Sequence, residues 1–122
     1  MAVTKKRAQE LALSLANASA APHFERIAFR TPRRIFATLA RSGTDMNFMF
    51  DHAQQAHFCA LAPHALAPVP GGWGRMGATR CELAAVDAKT FSAALKAAHE
   101  RANSPPPKAT RKAKAKRPRP PA

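Results

Sequence analysis

Acidic residues are scarce in this chain. Seven aspartates and glutamates stand against twenty lysines and arginines in 122 residues, giving a net charge of +13. Cysteine is limited to Cys59 and Cys81, whose separation is not that of metal ligands, and a pair in a composition of this kind stays reduced. No apolar run reaches membrane-spanning length. Lys5-Lys6-Arg7 precede an Ala/Leu run and Ala18-Ser19-Ala20 imitates a cleavage site. Gln9 and Glu10 interrupt that run, however, and leave too little for a secretory signal. These absences predict a cytoplasmic protein without disulfides or a membrane anchor.

Tryptophan and glycine are rare too, and they are gathered together. The stretch Pro68-Val69-Pro70-Gly71-Gly72-Trp73-Gly74-Arg75-Met76-Gly77-Ala78-Thr79-Arg80-Cys81 holds the single tryptophan and four of the five glycines. Two prolines restrict the backbone on entry, and the glycines allow a positive φ or the close approach of another segment. Such a stretch reads as a shaped loop folded onto the domain, with Gly71, Gly72, Trp73 and Gly74 as its structural centre and Trp73 covering the core. The alternative is that the loop forms a binding surface with Arg75 and Arg80.

The last twenty residues have no acid, six prolines and seven bases: Lys108, Arg111, Lys112, Lys114, Lys116, Arg117 and Arg119. Proline removes backbone donors and like charges repel, so residues 103–122 are expected to form a disordered tail. Residues 1–102 are then one domain with enough chain for a core of its own. They hold thirteen bases and seven acids, so domain and tail are each basic. Basic surface gains free energy by releasing condensed counterions from nucleic acid.

Along the domain, Thr4 can cap a helix with Ala8, Leu11, Ala12 and Leu15 on one face. Three strand candidates follow at His23–Arg30, Arg34–Ala40 and Asp45–Phe50, each with period-two alternation that buries one face. Thr31-Pro32-Arg33 and Ser42-Gly43-Thr44 supply turns for antiparallel hairpins. Asp51 caps a helix to about Leu61, stopped by Pro63. Thr79–Ala84 is a fourth strand with Cys81 and Leu83 inward. Asp87 starts the last helix, with Val86 and Phe91 as a hydrophobic staple and Phe91, Ala94, Leu95, Ala98 and Ala102 as its buried stripe. The order α-β-β-β-α-β-α predicts an α+β domain, an antiparallel sheet with helices packed on one face.

Pro22-His23-Phe24, Ala28-Phe29-Arg30, Arg34-Ile35-Phe36-Ala37-Thr38-Leu39, the Pro68–Arg75 loop, Thr79-Arg80 and Leu83 together resemble the MmcQ/YjbR family over roughly residues 8–101. The loop is the most specific part of the match. The resemblance implies a small α+β fold, described as a double-wing arrangement related to the frataxin-like layout, and a DNA-binding role. Ala16-Asn17 stand where the family often has Pro-Gly, so the first helix is expected to reach about Asn17. Met49 replaces a lysine common in the third strand, which removes a base from the exposed sheet face.

No catalytic set assembles from these residues. Asp51, Asp87 and Glu100 have capping or helix-surface duties. His52 and His57 are five apart and do not share a helix face as a zinc pair would, and His23 reads as a turn residue. No nucleophile elbow or phosphate loop is present, and neither metal nor cofactor is expected. What remains is charge. Arg26, Arg30 and Arg80 are expected on the solvent face of the sheet, with Arg75 at its loop edge, unless they pair with Glu25 or Glu82. The expected function is non-catalytic nucleic-acid binding, DNA favoured over RNA, with little sequence reading. The alternative is a protein- or small-ligand-interaction module around Trp73. One unpaired arginine surface favours the first; an apolar hollow beside Trp73 favours the second.

Overall fold

The computed structural model describes residues 3–103. Its elements are α1 (Lys5–Leu13), β1 (Ser19–His23), β2 (Arg26–Arg30), β3 (Ile35–Ala40), β4 (Asp45–Met49), α2 (His52–Leu61), β5 (Leu66–Pro68), α3 (Gly72–Arg75), β6 (Ala78–Glu82) and α4 (Ala88–Asn103). The six strands form one antiparallel sheet in the order β1-β2-β3-β4-β6-β5. The expected α+β architecture holds, with two outer strands and a one-turn helix that the periodicity did not reveal. Helix α4 takes in Asn103, one residue past the expected domain boundary. The seven tail bases lie outside the described residues.

Local chemistry sets the element ends. Thr4 accepts the Arg7 N–H on its hydroxyl at 3.1 Å and starts α1. The helix ends at Leu13 rather than near Asn17, because Asn17 takes φ 60° and turns the chain into β1. Strands β1 and β2 are joined by Phe24 and Glu25 alone, with Phe24 at φ 59°. Asp51 and Gln54 close a capping box on α2, each side chain satisfying the other's backbone N–H. The Asp87 carboxylate accepts the Thr90 N–H at 3.0 Å and starts α4. That contact holds the Asp87 carboxyl below its ordinary pKa.

Alternation sorts the strands into two faces. Ile27, Leu39, Met46, Cys81 and Leu66 stand in register on one side, and so do Phe29, Ala37 and Phe48. Helices α1, α2 and α4 cover this side and build a single core with it. Phe29, Phe36, Phe48, Phe50 and Phe91 are fully buried there, with Phe48 and Phe91 centroids 5.7 Å apart. Phe36 departs from strict alternation. A register shift at Phe29/Arg30 turns it toward α4, where it meets the His99 ring edge-on at 5.3 Å. The α4 stripe and the Val86–Phe91 staple are buried as expected. Both outer strands, β1 and β5, contain a proline: Pro22 and Pro68.

The open sheet face and the basic end of the domain

The second side of the sheet, opposite α1, α2 and α4, carries Arg26, Thr38, Asp45, Asn47, Met49, Ala78, Arg80 and Glu82. Arg26 lies across β3 rather than into solvent. Its Nε donates to Thr38 Oγ1 and its Nη2 to the Thr38 carbonyl, both at 2.8 Å. Nη2 also stands 2.9 Å from the Asp45 carboxylate, a group whose side chain is only 5% exposed. Arg80 reaches the same carboxylate at 3.3 Å and donates from Nε to Glu82 at 2.6 Å. The Glu82 hydrogen bond and the two carboxylate charges raise the Arg80 pKa, against a smaller opposing effect of burial.

This corrects the expected arginine surface. Two bases and two acids make the centre of the open face electrically neutral. Glu82 is a partner as foreseen, whereas Glu25 is not and Asp45 is.

Unpaired charge collects at one end of the sheet instead. Arg30 is exposed, its Nε donating to the Thr31 carbonyl at 3.1 Å. The Thr31 hydroxyl accepts the Arg33 and Arg34 N–H groups at 3.1 and 3.3 Å, so Arg30, Arg33 and Arg34 flank one tight turn. That turn is tied to the end of α4, where Thr31 Oγ1 donates to the Ala102 carbonyl at 3.4 Å. Arg101 joins the group from α4 and donates to the Met49 carbonyl at 3.2 Å. Its pKa is lowered, first by burial and then by the nearby Arg34 charge, against a weaker attraction to Asp51. Among the described residues, no carboxylate forms an ion pair with any of these four.

Sequence reading named only Arg30 of this group. Thr31-Pro32-Arg33 was visible as a turn between two strands, but the approach of Arg101 depends on contacts across about seventy residues. Arg101 also supplies a base beside Met49, where the resemblance found one missing.

The glycine-rich loop is shaped as expected, yet it holds Trp73 outward, 67% exposed. The residue pressed inward is Gly74. A Cβ there would fall on the Val69 carbonyl oxygen, and one on Gly77, at φ +118°, would fall on the Phe50 carbonyl. Gly72 is open, with only the Arg75 side chain near a Cβ, at 3.7 Å. Gln55 fastens the loop from α2, its amide donating to the Gly74 and Ala78 carbonyls at 2.8 and 3.1 Å. His52 contacts the Arg75 carbonyl, and Arg75 itself is exposed beside Trp73. Close packing here required the smallest residue, so the largest was left on the surface.

Beside Trp73 the open face sinks into a trough of about 420 Å³. Ile35, Met49, Val69 and Ala78 give it an apolar lining with Trp73. Thr38 and Asn47 are the uncharged polar side chains on its lining, and the Asn47 amide makes no hydrogen bond with another described residue. Arg101, Arg26 and His23 stand on the lining as well, which includes no carboxylate. A second hollow near Phe24 includes both Glu25 and Asp45 and has no such charge bias.

Neither cysteine is bonded. Burial raises the Cys59 pKa and pushes that of Cys81 up to about 12. Among the described residues no cluster of three His, Cys, Asp or Glu is placed to hold a metal. No helix among them is long and apolar enough to cross a membrane.

No family model matches the chain, and no curated protein matches it in sequence. In structure it is similar to the crystal structure of Deinococcus radiodurans protein DR2400, which has a DUF419 domain. The TM-score is 0.67 at 14% identity, over 93% of this chain and 83% of that one. DUF419 is the family also called MmcQ/YjbR-like. At this identity the likeness concerns the fold, which is thus an α+β, DUF419-like fold.

Proposed function

We propose that this is a non-catalytic, cytoplasmic nucleic-acid-binding protein of the MmcQ/YjbR family, DNA favoured over RNA, which binds through charge with little sequence reading. The observation that carries this reading is the group Arg30, Arg33, Arg34 and Arg101, free of ion pairs with described residues. It stands where α4 leads into a segment with seven further bases and no acid. Domain and tail can then follow one stretch of phosphates from a common origin. Arg26 and Arg80, each already opposite a carboxylate, are left out of the contact set, and the preference for DNA follows from the family resemblance.

The test is a titration of duplex DNA over a salt series. Each engaged base contributes about 0.9 to the log–log slope. Arg30/Arg33/Arg34→Ala is expected to flatten the slope by up to roughly 3, and removal of residues 104–122 by up to roughly 6. Lys5/Lys6/Arg7→Ala removes equal charge from α1 and serves as the control. Equal losses from both triple variants would reduce the reading to net charge alone. Absence of binding by the full chain at low salt would favour the interaction-module reading, for which the apolar trough beside Trp73 speaks.

A further inference from the structure

We infer that the trough on the open face takes an unpaired nucleobase, stacked on Trp73, so that single strands are preferred to duplexes. This rests on the nucleic-acid reading and deepens it.

Three observations converge. Trp73 is the only tryptophan, and it is two-thirds exposed on a loop packed closely at Gly74 and hydrogen-bonded to Gln55. A flat π-face of this kind gains from stacking on any base, whatever its identity. The lining also presents Asn47, whose amide carries both donors and an acceptor without a partner among the described residues, as a base edge requires. Finally, Arg101 belongs both to the trough lining and to the group of arginines at the Thr31 turn. A strand seated in the trough would pass its phosphates directly onto that group.

The volume lies within the ordinary range for small organic ligands, about 300–1,000 Å³. Arg101, with no carboxylate partner among the described residues, and the lack of carboxylates on the lining favour an anionic occupant. They also disfavour the chain's own segment 104–122, which carries seven bases and no acid. A base inside a duplex is already stacked and must be extruded to reach such a site, which costs the duplex its pairing. A free nucleotide offers the same chemistry as a strand, so the test separates the two.

The full-length protein is titrated with a short oligodeoxyadenylate, an abasic strand with the same number of phosphates, the matching duplex, and deoxyadenosine monophosphate. Trp73 emission reports the site itself, and labelled strands report affinity. The oligodeoxyadenylate should quench Trp73 and bind at least about fivefold more tightly than the abasic strand. Trp73→Ala, at an exposed position, should bring these two strands to one affinity, whereas Arg30/Arg33/Arg34→Ala should weaken both alike.

If both strands bind the native protein equally and Trp73 emission does not change, the trough takes no base and only the charge-based reading survives. If the monophosphate saturably quenches Trp73 but no strand or duplex binds, the trough is a nucleotide site and the nucleic-acid reading fails. If nothing binds, both fall.

Discussion

The two faces of this sheet are made from alternate residues of the same strands, and they treat their largest side chains in opposite ways. On the covered face, Phe29 of β2, Phe48 of β4 and Phe91 of α4 are all fully buried, and Phe48 meets Phe91. Beside the open face, Trp73 of α3 is turned outward, and on the face itself Arg26 and Arg80 both reach Asp45. Covered aromatics gain from removal from water; Trp73 gains little from its own fold. Side-chain size therefore says less about stability here than the face on which the residue lands.

The sharpest way to break this contrast is to truncate one aromatic from each face. Phe48→Ala is expected to cost about 3–5 kcal/mol through lost transfer energy and a cavity. Trp73→Ala should stay within about 0.5 kcal/mol, as exposed substitutions do. Urea denaturation followed by circular dichroism measures both, and a large loss for Trp73→Ala would mean the loop is packed differently.

A smaller effect is expected from the charge network on the open face. Asp45→Asn keeps the shape of the side chain but leaves Arg26 and Arg80 without their shared opposite charge. A fully buried pair loses about 3–5 kcal/mol when broken in this way. Arg26 is 25% exposed and retains its Thr38 hydrogen bonds, so about 2 kcal/mol is the expected cost. If Asp45→Asn left the melting temperature unchanged, Asp45 would not be what holds the two arginines down.

The smallest effect concerns the two thiols. Cys81 lies on the covered face, and its pKa of about 12 should make it react with a thiol reagent only after unfolding. Cys59, half-buried on α2, should react in the native state, more slowly than a free thiol. The raised Cys81 pKa also fixes a sign for pH. Its contribution to stability is fully present below the ordinary thiol pKa near 9 and is lost as pH rises toward 12, because only the unfolded thiol ionises readily there. Cys81→Ala should remove that alkaline loss, and prompt native-state labelling of Cys81 would contradict its burial.

Much of the covered face was legible in the sequence, because burial there leaves a periodic record. Met46, Phe48, Phe91, Leu95 and Ala98 all lie where alternation or helical spacing put them. Strand β1 left no such record: Ser19–His23 is exposed at every position and is ordered by pairing with β2 alone. Strand β5 has only three residues, one of them proline. The open face was harder to read, since alternation gives the side of the sheet but not the neighbour across it. Arg26 meets Asp45 only because the β2–β3 and β3–β4 registers bring them together, nineteen positions apart. The same limit hid the arginine group at the Thr31 turn, where Arg101 arrives from the last helix.

The prolines at the two margins of the sheet have one more consequence. A free outer strand exposes a row of amide hydrogens that can template the addition of another chain. Pro22 and Pro68 each delete a donor from that row. Both margins are short as well, five and three residues, so neither offers a long straight surface to an incoming strand. Among the described residues the sheet thus stops at six strands, with both margins built to resist edge-to-edge pairing with another chain.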